Sequence, residues 1–101
     1  MTELEVIDLG DGVVAVLGEV DAHSAVVLTD VLDSQVGDVV RVRLAKCTFM
    51  DSRGLRSLLL AHGSYEQQGR RLVVVEPSDV VLRLFELTAL VDHFHFDDAM
   101  T

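Results

Sequence analysis

A serine and an aspartate stand where an apolar segment gives way to a leucine-rich one. Asp51 and Ser52 precede the leucine-rich segment 54–60, and this order is typical of a helix start. Either side-chain oxygen can accept a hydrogen bond from the unpaired amides of the first helical turn. A phosphate on Ser52 would also meet the positive end of the helix dipole, and Arg53 and Arg56 follow closely in the sequence. The spacing therefore favours two interpretations of Ser52, a helix cap or a hydroxyl that accepts a phosphate.

Nucleophilic catalysis is a third interpretation of Ser52. A serine nucleophile needs a base within reach and an oxyanion pocket, and Ser52 lacks the Gly-x-Ser-x-Gly sequence that presents it in hydrolases. The chain has four histidines, at positions 23, 62, 93 and 95, and their spacing leaves open whether one approaches Ser52. No glycine-rich nucleotide-binding motif is present. We predict that the chain is not an enzyme and has no catalytic residues, with a small hydrolase using Ser52 as the unfavoured alternative.

Metal binding has little support in the sequence. Cys47 is the only cysteine, so the chain lacks an intramolecular disulfide and a pair of thiolate ligands, and we interpret Cys47 as a buried apolar residue. His93 and His95 would point the same way on a strand, but no third ligand is evident near them. His62 lies on an apolar helical stripe, where a hydrogen-bonded boundary residue is expected. We predict no metal site and no cofactor.

Length and composition indicate one compact domain. The chain has 101 residues, of which 50% are hydrophobic, and we expect a single domain over 1–101 with its core over about 4–96. The longest apolar runs, 13–17 and 72–75, are far shorter than the roughly 18–20 residues that cross a bilayer. The amino terminus lacks the basic and apolar segments of an export signal. We therefore expect a cytoplasmic protein that does not insert into membranes.

The charge of the chain is negative overall but uneven. A formal net charge of −9 argues against direct nucleic-acid binding, because counterion release requires clustered Lys and Arg. The segment 41–71 nevertheless contains seven Arg and Lys against only Asp51 and Glu66. This distribution indicates a positive face around Ser52, unless folding brings the acidic flanks alongside.

Strand and helix signals in the first third of the chain predict a hairpin followed by a helix. A strand over 4–9 is joined to a strand over 13–17 by the turn sequence Gly10-Asp11-Gly12. Asp21 then has the position of an N-cap for a helix over about 22–34. The candidates for the apolar face of this helix are Val26, Val27, Val31 and Leu32.

The rest of the chain alternates between strands and helices. We predict a strand over 39–44, a helix over about 54–68 and a strand over 72–75. A helix over about 80–87, capped by Ser78 or Asp79, and a short strand over 93–96 follow, before a frayed tail over 97–101.

The alternating elements predict a layered α/β fold. Val40, Val42 and Leu44 alternate with Arg41 and Arg43, so one face of their strand is apolar and the other is charged. Helices that link successive strands imply right-handed parallel crossovers. We therefore expect a mixed, mostly parallel sheet of four to five strands, with an antiparallel first strand and helices packed mainly on one face.

Three stretches of the sequence resemble the signature stretches of the STAS domain family. They are 18–21, 49–55 and 86–90, and the Asp-Ser-x-Gly-Leu sequence within 49–55 is the most specific of them. The resemblance extends over 4–96 and implies the α/β fold described above. It also implies the function of the bacterial anti-sigma factor antagonists, in which the serine of this motif, here Ser52, is phosphorylated by a partner kinase.

The resemblance implies a cycle of partner exchange. The unphosphorylated antagonist binds an anti-sigma factor with serine kinase activity and frees a sigma factor, the kinase then modifies Ser52, and a serine phosphatase resets it. On this reading the chain is a substrate and a ligand. The residues implied to line the partner contact are Asp21, Asp51, Ser52, Arg53, Gly54 and Leu55.

Two departures from the family pattern bear on this function. Arg53 stands where many relatives have a second serine or threonine, so it removes an alternative acceptor and adds a cation beside Ser52. At the end of the strand predicted over 39–44, the family usually has Asp-Leu-Ser, whereas this chain has Arg-Leu-Ala-Lys over 43–46. An alternative within the same fold is an accessory subunit, without phosphorylation, of an ABC-type lipid or anion transporter. The sequence leaves open a monomer or a weak dimer.

Overall fold

The computed structural model describes residues 4–96, which form a five-stranded sheet with three α-helices and one short 3-10 helix. The elements in chain order are β1 (Glu5–Gly10), β2 (Val13–Val20), α1 (Ala25–Ser34), β3 (Val39–Met50), α2 (Ser52–Gln67), β4 (Arg71–Val75), α3 (Asp79–Leu87), the 3-10 helix (Val91–His93) and β5 (His95–Phe96). Within residues 4–96, every helix is too short or too polar to cross a membrane.

The sheet has the predicted mixed topology. Its strand order is β1-β2-β3-β4-β5, with β1 antiparallel to β2 and all later neighbours parallel. Because parallel neighbours must be joined across the sheet, α1, α2 and α3 each serve as a crossover between strands. The α/β class and the antiparallel first strand are confirmed.

The first hairpin depends on its glycines. Gly12 has a φ of +76°, a region that residues with a Cβ rarely adopt. A Cβ on Gly12 would also lie 2.6 Å from the carbonyl oxygen of Val39, at the start of β3. The turn over 10–12 therefore positions the hairpin against the third strand as well as reversing the chain.

One face of the sheet carries the core. Val40, Val42 and Leu44 are fully buried on β3, whereas Arg41 and Arg43 between them are exposed. The buried side chains of all three helices join the same apolar cluster as this face, which confirms helices packed mainly on one side. They include Leu28 and Leu32 of α1, Leu55 and Leu58 of α2, and Val81 and Phe85 of α3.

The first helix differs from its prediction in both start and orientation. It begins at Ala25 instead of residue 22, and its buried face is Ala25, Leu28 and Leu32. Val26 and Val27, predicted to face the core, are 61% and 49% exposed. The reason is that residues 25, 28 and 32 already form a complete inward stripe, and neighbours about 100° further around the helix face outward.

The last third of the chain follows the prediction except at its end. Ser78 is the N-cap of α3, and its hydroxyl accepts from the amide of Val81 at 3.3 Å. His93 closes the 3-10 helix, and only His95 and Phe96 of the predicted terminal strand pair with β4. Phe94 is buried, and Phe96 is half-buried. The predicted frayed tail lies outside the described residues.

Candidate functional site

Two strand-to-helix junctions meet at one edge of the sheet. Val20 and Met50, the last residues of β2 and β3, are paired in register, and the Asp51 amide donates to the Val20 carbonyl at 3.0 Å. Because neighbouring parallel strands end at the same edge, the residues that follow them are brought together. Asp21 and Ser52, which the family resemblance implies to line one partner contact, therefore lie at the same end of the sheet.

Asp51 provides the cap of α2. Its backbone is extended, and its carboxylate accepts from the amides of Arg53 at 2.9 Å and Gly54 at 3.2 Å. Ser52 is consequently the first residue of the helix instead of its cap. Of the two capping oxygens that the sequence left open, the carboxylate of Asp51 takes the role.

Ser52 is left with an exposed hydroxyl. It occupies the first helical position of α2, and within residues 4–96 its side chain makes no hydrogen bond. A serine hydroxyl that does no capping is free to serve as a nucleophile toward a phosphoryl donor or as a contact for another protein. Helix capping, the structural role that the sequence allowed for Ser52, is thus carried out by Asp51.

Gly54 is required by close packing against the ends of β2 and β3. A Cβ at this position would lie 2.6 Å from Cγ1 of Val20 and 2.8 Å from Cγ of Met50. Contacts this short are essentially never found for a Cβ, so any other residue here would force α2 or the side chains of Val20 and Met50 to move. Gly54 and Leu55 are buried, and they shape the surface around Ser52 without projecting from it.

Asp21 organises the neighbouring junction. Its carboxylate accepts from the amides of His23 at 3.0 Å and Ser24 at 2.9 Å, and from the Ser24 hydroxyl at 3.0 Å. The bonds from Ser24, first its amide and then its hydroxyl, hold the pKa of Asp21 below its usual value. Asp21 therefore caps the turn before α1. The prediction that Asp21 is the N-cap of the helix is wrong, because Ser24 has that position.

A groove with a volume of about 720 Å³ runs between α1 and the start of α2. A hydrogen bond joins the two helices within the groove, where the Thr29 hydroxyl of α1 donates to the Ser57 hydroxyl of α2 at 2.9 Å. Val26 places an exposed apolar side chain on its wall. The residues that line the groove are Ala22, Ala25, Val26, Thr29, Ser52, Arg53, Leu55, Arg56, Ser57 and Leu59.

Sequence reasoning missed Val26, Thr29 and Ser57 as parts of this surface. The helical spacing predicts that Val26 faces the core, and nothing in the local sequence distinguishes Thr29 and Ser57 from other helical Ser and Thr. The signal that points to Val26 is the spacing of Ala25, Leu28 and Leu32, which completes an inward stripe without it.

The basic segment is only partly at the groove. Arg53 and Arg56 line it, as their spacing from Ser52 suggested. Arg43 instead pairs with Glu76 at 3.1 Å on the exposed face of the sheet. Arg70 donates to the carbonyls of Gln35 and Gly37 and lies 4.2 Å from the centre of the Tyr65 ring. The predicted positive face is therefore reduced to two arginines beside Ser52.

The candidates for metal and thiol chemistry lie away from Ser52. Cys47 is fully buried, as predicted, and burial raises the pKa of its thiol. His62 and His95 approach Glu66 in the second half of α2, where His62 and Glu66 lie about 15 and 21 Å along the helix from Ser52. Partial burial lowers the pKa of His62, although Glu66 opposes the shift.

Replacing Asp51 with alanine is expected to lower the free energy of unfolding by about 0.5–2 kcal/mol. The substitution removes the acceptor for the amides of Arg53 and Gly54. Urea unfolding followed by circular dichroism measures the change. Asp51→Asn is the matched control, since its side-chain oxygen can still cap. Equal stabilities for wild type, Asp51→Ala and Asp51→Asn would contradict the capping role.

Comparisons with known proteins identify the family of this chain and agree with its fold. The STAS domain model matches residues 3–100. An anti-sigma-B factor antagonist of Listeria monocytogenes is 38% identical over 80 residues, which are 76% of this chain and 70% of that protein. One of Staphylococcus aureus is 33% identical over 88 residues, covering 84% of this chain and 82% of the relative.

A solved structure gives the same result at the level of the backbone. An anti-sigma factor antagonist from Mycobacterium paratuberculosis superposes with a TM-score of 0.78 and 25% identity, over 97% of this chain and 86% of the other. The match to the family model spans both junctions and all five strands. The chain belongs to the STAS domain family.

Proposed function

We propose that this chain is an anti-sigma factor antagonist whose binding to an anti-sigma factor is switched off by phosphorylation of Ser52. The proposal is supported by the STAS domain match and by relatives named as anti-sigma-B factor antagonists. The unphosphorylated chain binds the anti-sigma factor and frees a sigma factor. A serine kinase activity of that partner modifies Ser52, and a serine phosphatase restores the hydroxyl.

The observation that carries the proposal is the exposed Ser52 hydroxyl beside the groove. Asp51 caps α2, so the Ser52 oxygen forms no hydrogen bond within the described chain and can enter a kinase active site without disturbing the helix. In the transfer, a bond forms between Ser52 Oγ and the γ-phosphorus of ATP and the bond to the β-phosphate oxygen breaks. ADP leaves, and the hydroxyl proton passes to a base of the kinase.

The phosphate would act directly on a partner. The carboxylate of Asp51 already accepts hydrogen bonds from the amides of Arg53 and Gly54. These two amides of the first turn are therefore not available to a phosphate on Ser52. About −1.5 to −2 charges are then added at an exposed position. The new charge faces outward, where it meets any protein that packs over the groove, and no rearrangement of the sheet is needed.

The partner contact would combine apolar and charged groups around Ser52. Asp21, Ser52 and Arg53 are exposed, and Val26 adds an apolar contact on the wall of the groove. Asp51 is half-buried. Among the six residues implied by the family resemblance, Gly54 and Leu55 would contribute through the shape of the surface.

The test is phosphate transfer from ATP in the presence of the anti-sigma factor kinase from the same genome. Intact-mass spectrometry of the full chain is expected to show the addition of one phosphate to the wild type and none to Ser52→Ala. Ser64→Ala is the matched control, because Ser64 is an exposed serine on the same helix. It is expected to gain the phosphate as the wild type does.

Either of two results would refute the assignment of Ser52. The first is that the wild-type chain binds the kinase but gains no phosphate. The second is Ser52→Ala gaining as much phosphate as the wild type.

A further inference from the structure

Two histidines and a glutamate converge where β5 packs beside α2, a place separate from the groove. His62 and Glu66 are four residues apart on α2 and therefore share one face of the helix. His95 Nε2 lies 2.9 Å from Oε1 of Glu66, and His62 Nε2 lies 3.9 Å from the same oxygen. One ligand atom from each residue falls within 4.8 Å of the others. We call these three residues the histidine cluster.

We propose that the histidine cluster binds one divalent transition-metal ion of the zinc class through two imidazole nitrogens and one carboxylate oxygen. Zinc takes His nitrogens at about 2.0–2.1 Å and carboxylate oxygens at about 2.0–2.2 Å, so neighbouring atoms of a tetrahedral shell are about 3.3 Å apart. The two distances to Oε1 of Glu66, 2.9 and 3.9 Å, lie on either side of this spacing. Three protein ligands leave a fourth position for water.

The ligand set selects the class of metal. Imidazole suits zinc, copper and nickel, whereas magnesium and calcium prefer shells made of oxygen alone. The thiol of Cys47 is fully buried in the core and offers no competing thiolate. The cluster is therefore expected to bind Zn²⁺, Cu²⁺ or Ni²⁺ and to discriminate against Mg²⁺.

The cluster is partly held in place by aromatic packing. The His62 ring lies 5.4 Å from the Phe94 ring and 5.6 Å from the His95 ring, between centroids. The His62 side chain is 17% exposed, whereas those of Glu66 and His95 are 50% and 41% exposed. One ligand is thus anchored, and two can adjust by small rotations to complete a metal shell.

The surroundings limit the affinity. Nδ1 of His62 is buried and has no hydrogen-bond partner within residues 4–96, so this ligand lacks the support that usually orients a metal-bound imidazole. Arg71 and His93 also lie close enough to act on Glu66 and His62 electrostatically. We expect binding about 10- to 100-fold weaker than in a site with a complete outer shell.

Metal binding would join the end of the chain to α2. His62 and Glu66 belong to a long helix, and His95 belongs to a strand of only two residues, which pairs with β4 at the edge of the sheet. A metal that binds this folded arrangement in preference to the unfolded chain raises the thermal midpoint. Metal binding would therefore stabilise the β4–β5 edge of the sheet, which is separate from the surface around Ser52.

The test uses the full chain without a histidine tag, stripped of metal with EDTA and titrated with zinc chloride in a calorimeter. We expect one Zn²⁺ per chain, a higher melting temperature in zinc, reversal by EDTA and no displacement by excess Mg²⁺. His62→Gln and His95→Gln are each expected to weaken zinc binding by more than about tenfold, since each removes one of three ligands.

Two control variants and one further measurement make the result decisive. His23→Gln changes a histidine of the α1 turn and is expected to leave zinc binding unchanged. His93→Gln is expected to change it by less than about threefold, because His93 is not one of the three ligands and acts on His62 only electrostatically. Zinc binding that survives His62→Gln, disappears in His93→Gln or occurs only in a zinc-bridged dimer, as seen by light scattering, would overturn the proposal.

Discussion

Replacing Ser52 with glutamate is expected to weaken binding to the anti-sigma factor by about 5- to 150-fold, the range that a coupling of about 1–3 kcal/mol produces. The substitution places a negative charge at the first residue of α2, on the rim of the groove. A glutamate at a helix start is favourable for the helix itself, so the fold should keep its stability. Calorimetric titration of the full chain with the anti-sigma factor measures the affinity.

Two variants separate a local effect from a general effect of charge. Ser52→Ala removes the hydroxyl without adding charge and is expected to bind nearly as well as the wild type. Ser64→Glu adds the same charge about 18 Å further along α2 and is expected to bind normally. Equal losses for Ser52→Glu and Ser64→Glu would show that overall charge, and not the groove, controls binding.

Replacing Phe85 with alanine is expected to lower the free energy of unfolding by about 3–5 kcal/mol. Phe85 is fully buried, and its ring stacks on Phe94 with centroids 4.9 Å apart and meets the edge of Phe96 at 6.0 Å. Since small domains have only about 5–15 kcal/mol of stability, the variant should lose a large share of it. Urea unfolding measures the loss as a lower midpoint with an unchanged slope.

Leu87→Ala is the control for this prediction. Leu87 lies on the same helix but is 76% exposed, so its replacement should change the stability by no more than about 0.5 kcal/mol. Similar midpoints for Phe85→Ala and Leu87→Ala would contradict the assignment of Phe85 to the core.

Local signals predicted much of the fold. The turn sequence over 10–12 predicted the hairpin, Ser78 was one of the two caps proposed for α3, and the alternation over 39–44 predicted a sheet covered on one face. Each of these depends on residues a few positions apart, whose preferences act before any distant contact forms. The strand β3 is longer than predicted, because it continues to pair with β2 over 45–50, where register shifts interrupt the alternation of buried and exposed side chains.

The candidate site was predicted in outline but not in its surface. The sequence placed Asp21 and Ser52 each at the junction between a strand and a helix, and the parallel pairing of β2 with β3 brings those junctions together. The sequence also predicted that Val26 faces the core. Val26, Val27 and Leu28 are consecutive apolar residues, and in a short helix such a run is compatible with more than one buried face. Only packing against the sheet selects one of them.

The amino-acid sequence by itself determined the order of strands and helices, the junction that bears Ser52 and the family to which the chain belongs, because periodicity, turn residues and short motifs are local properties. Tertiary structure alone decided that Asp51 caps α2 and leaves the Ser52 hydroxyl exposed, since this depends on how the Asp51 amide bonds to Val20. It also decided that His62 and Glu66 meet His95, a residue 29 positions beyond Glu66. Such contacts form only when the whole sheet closes.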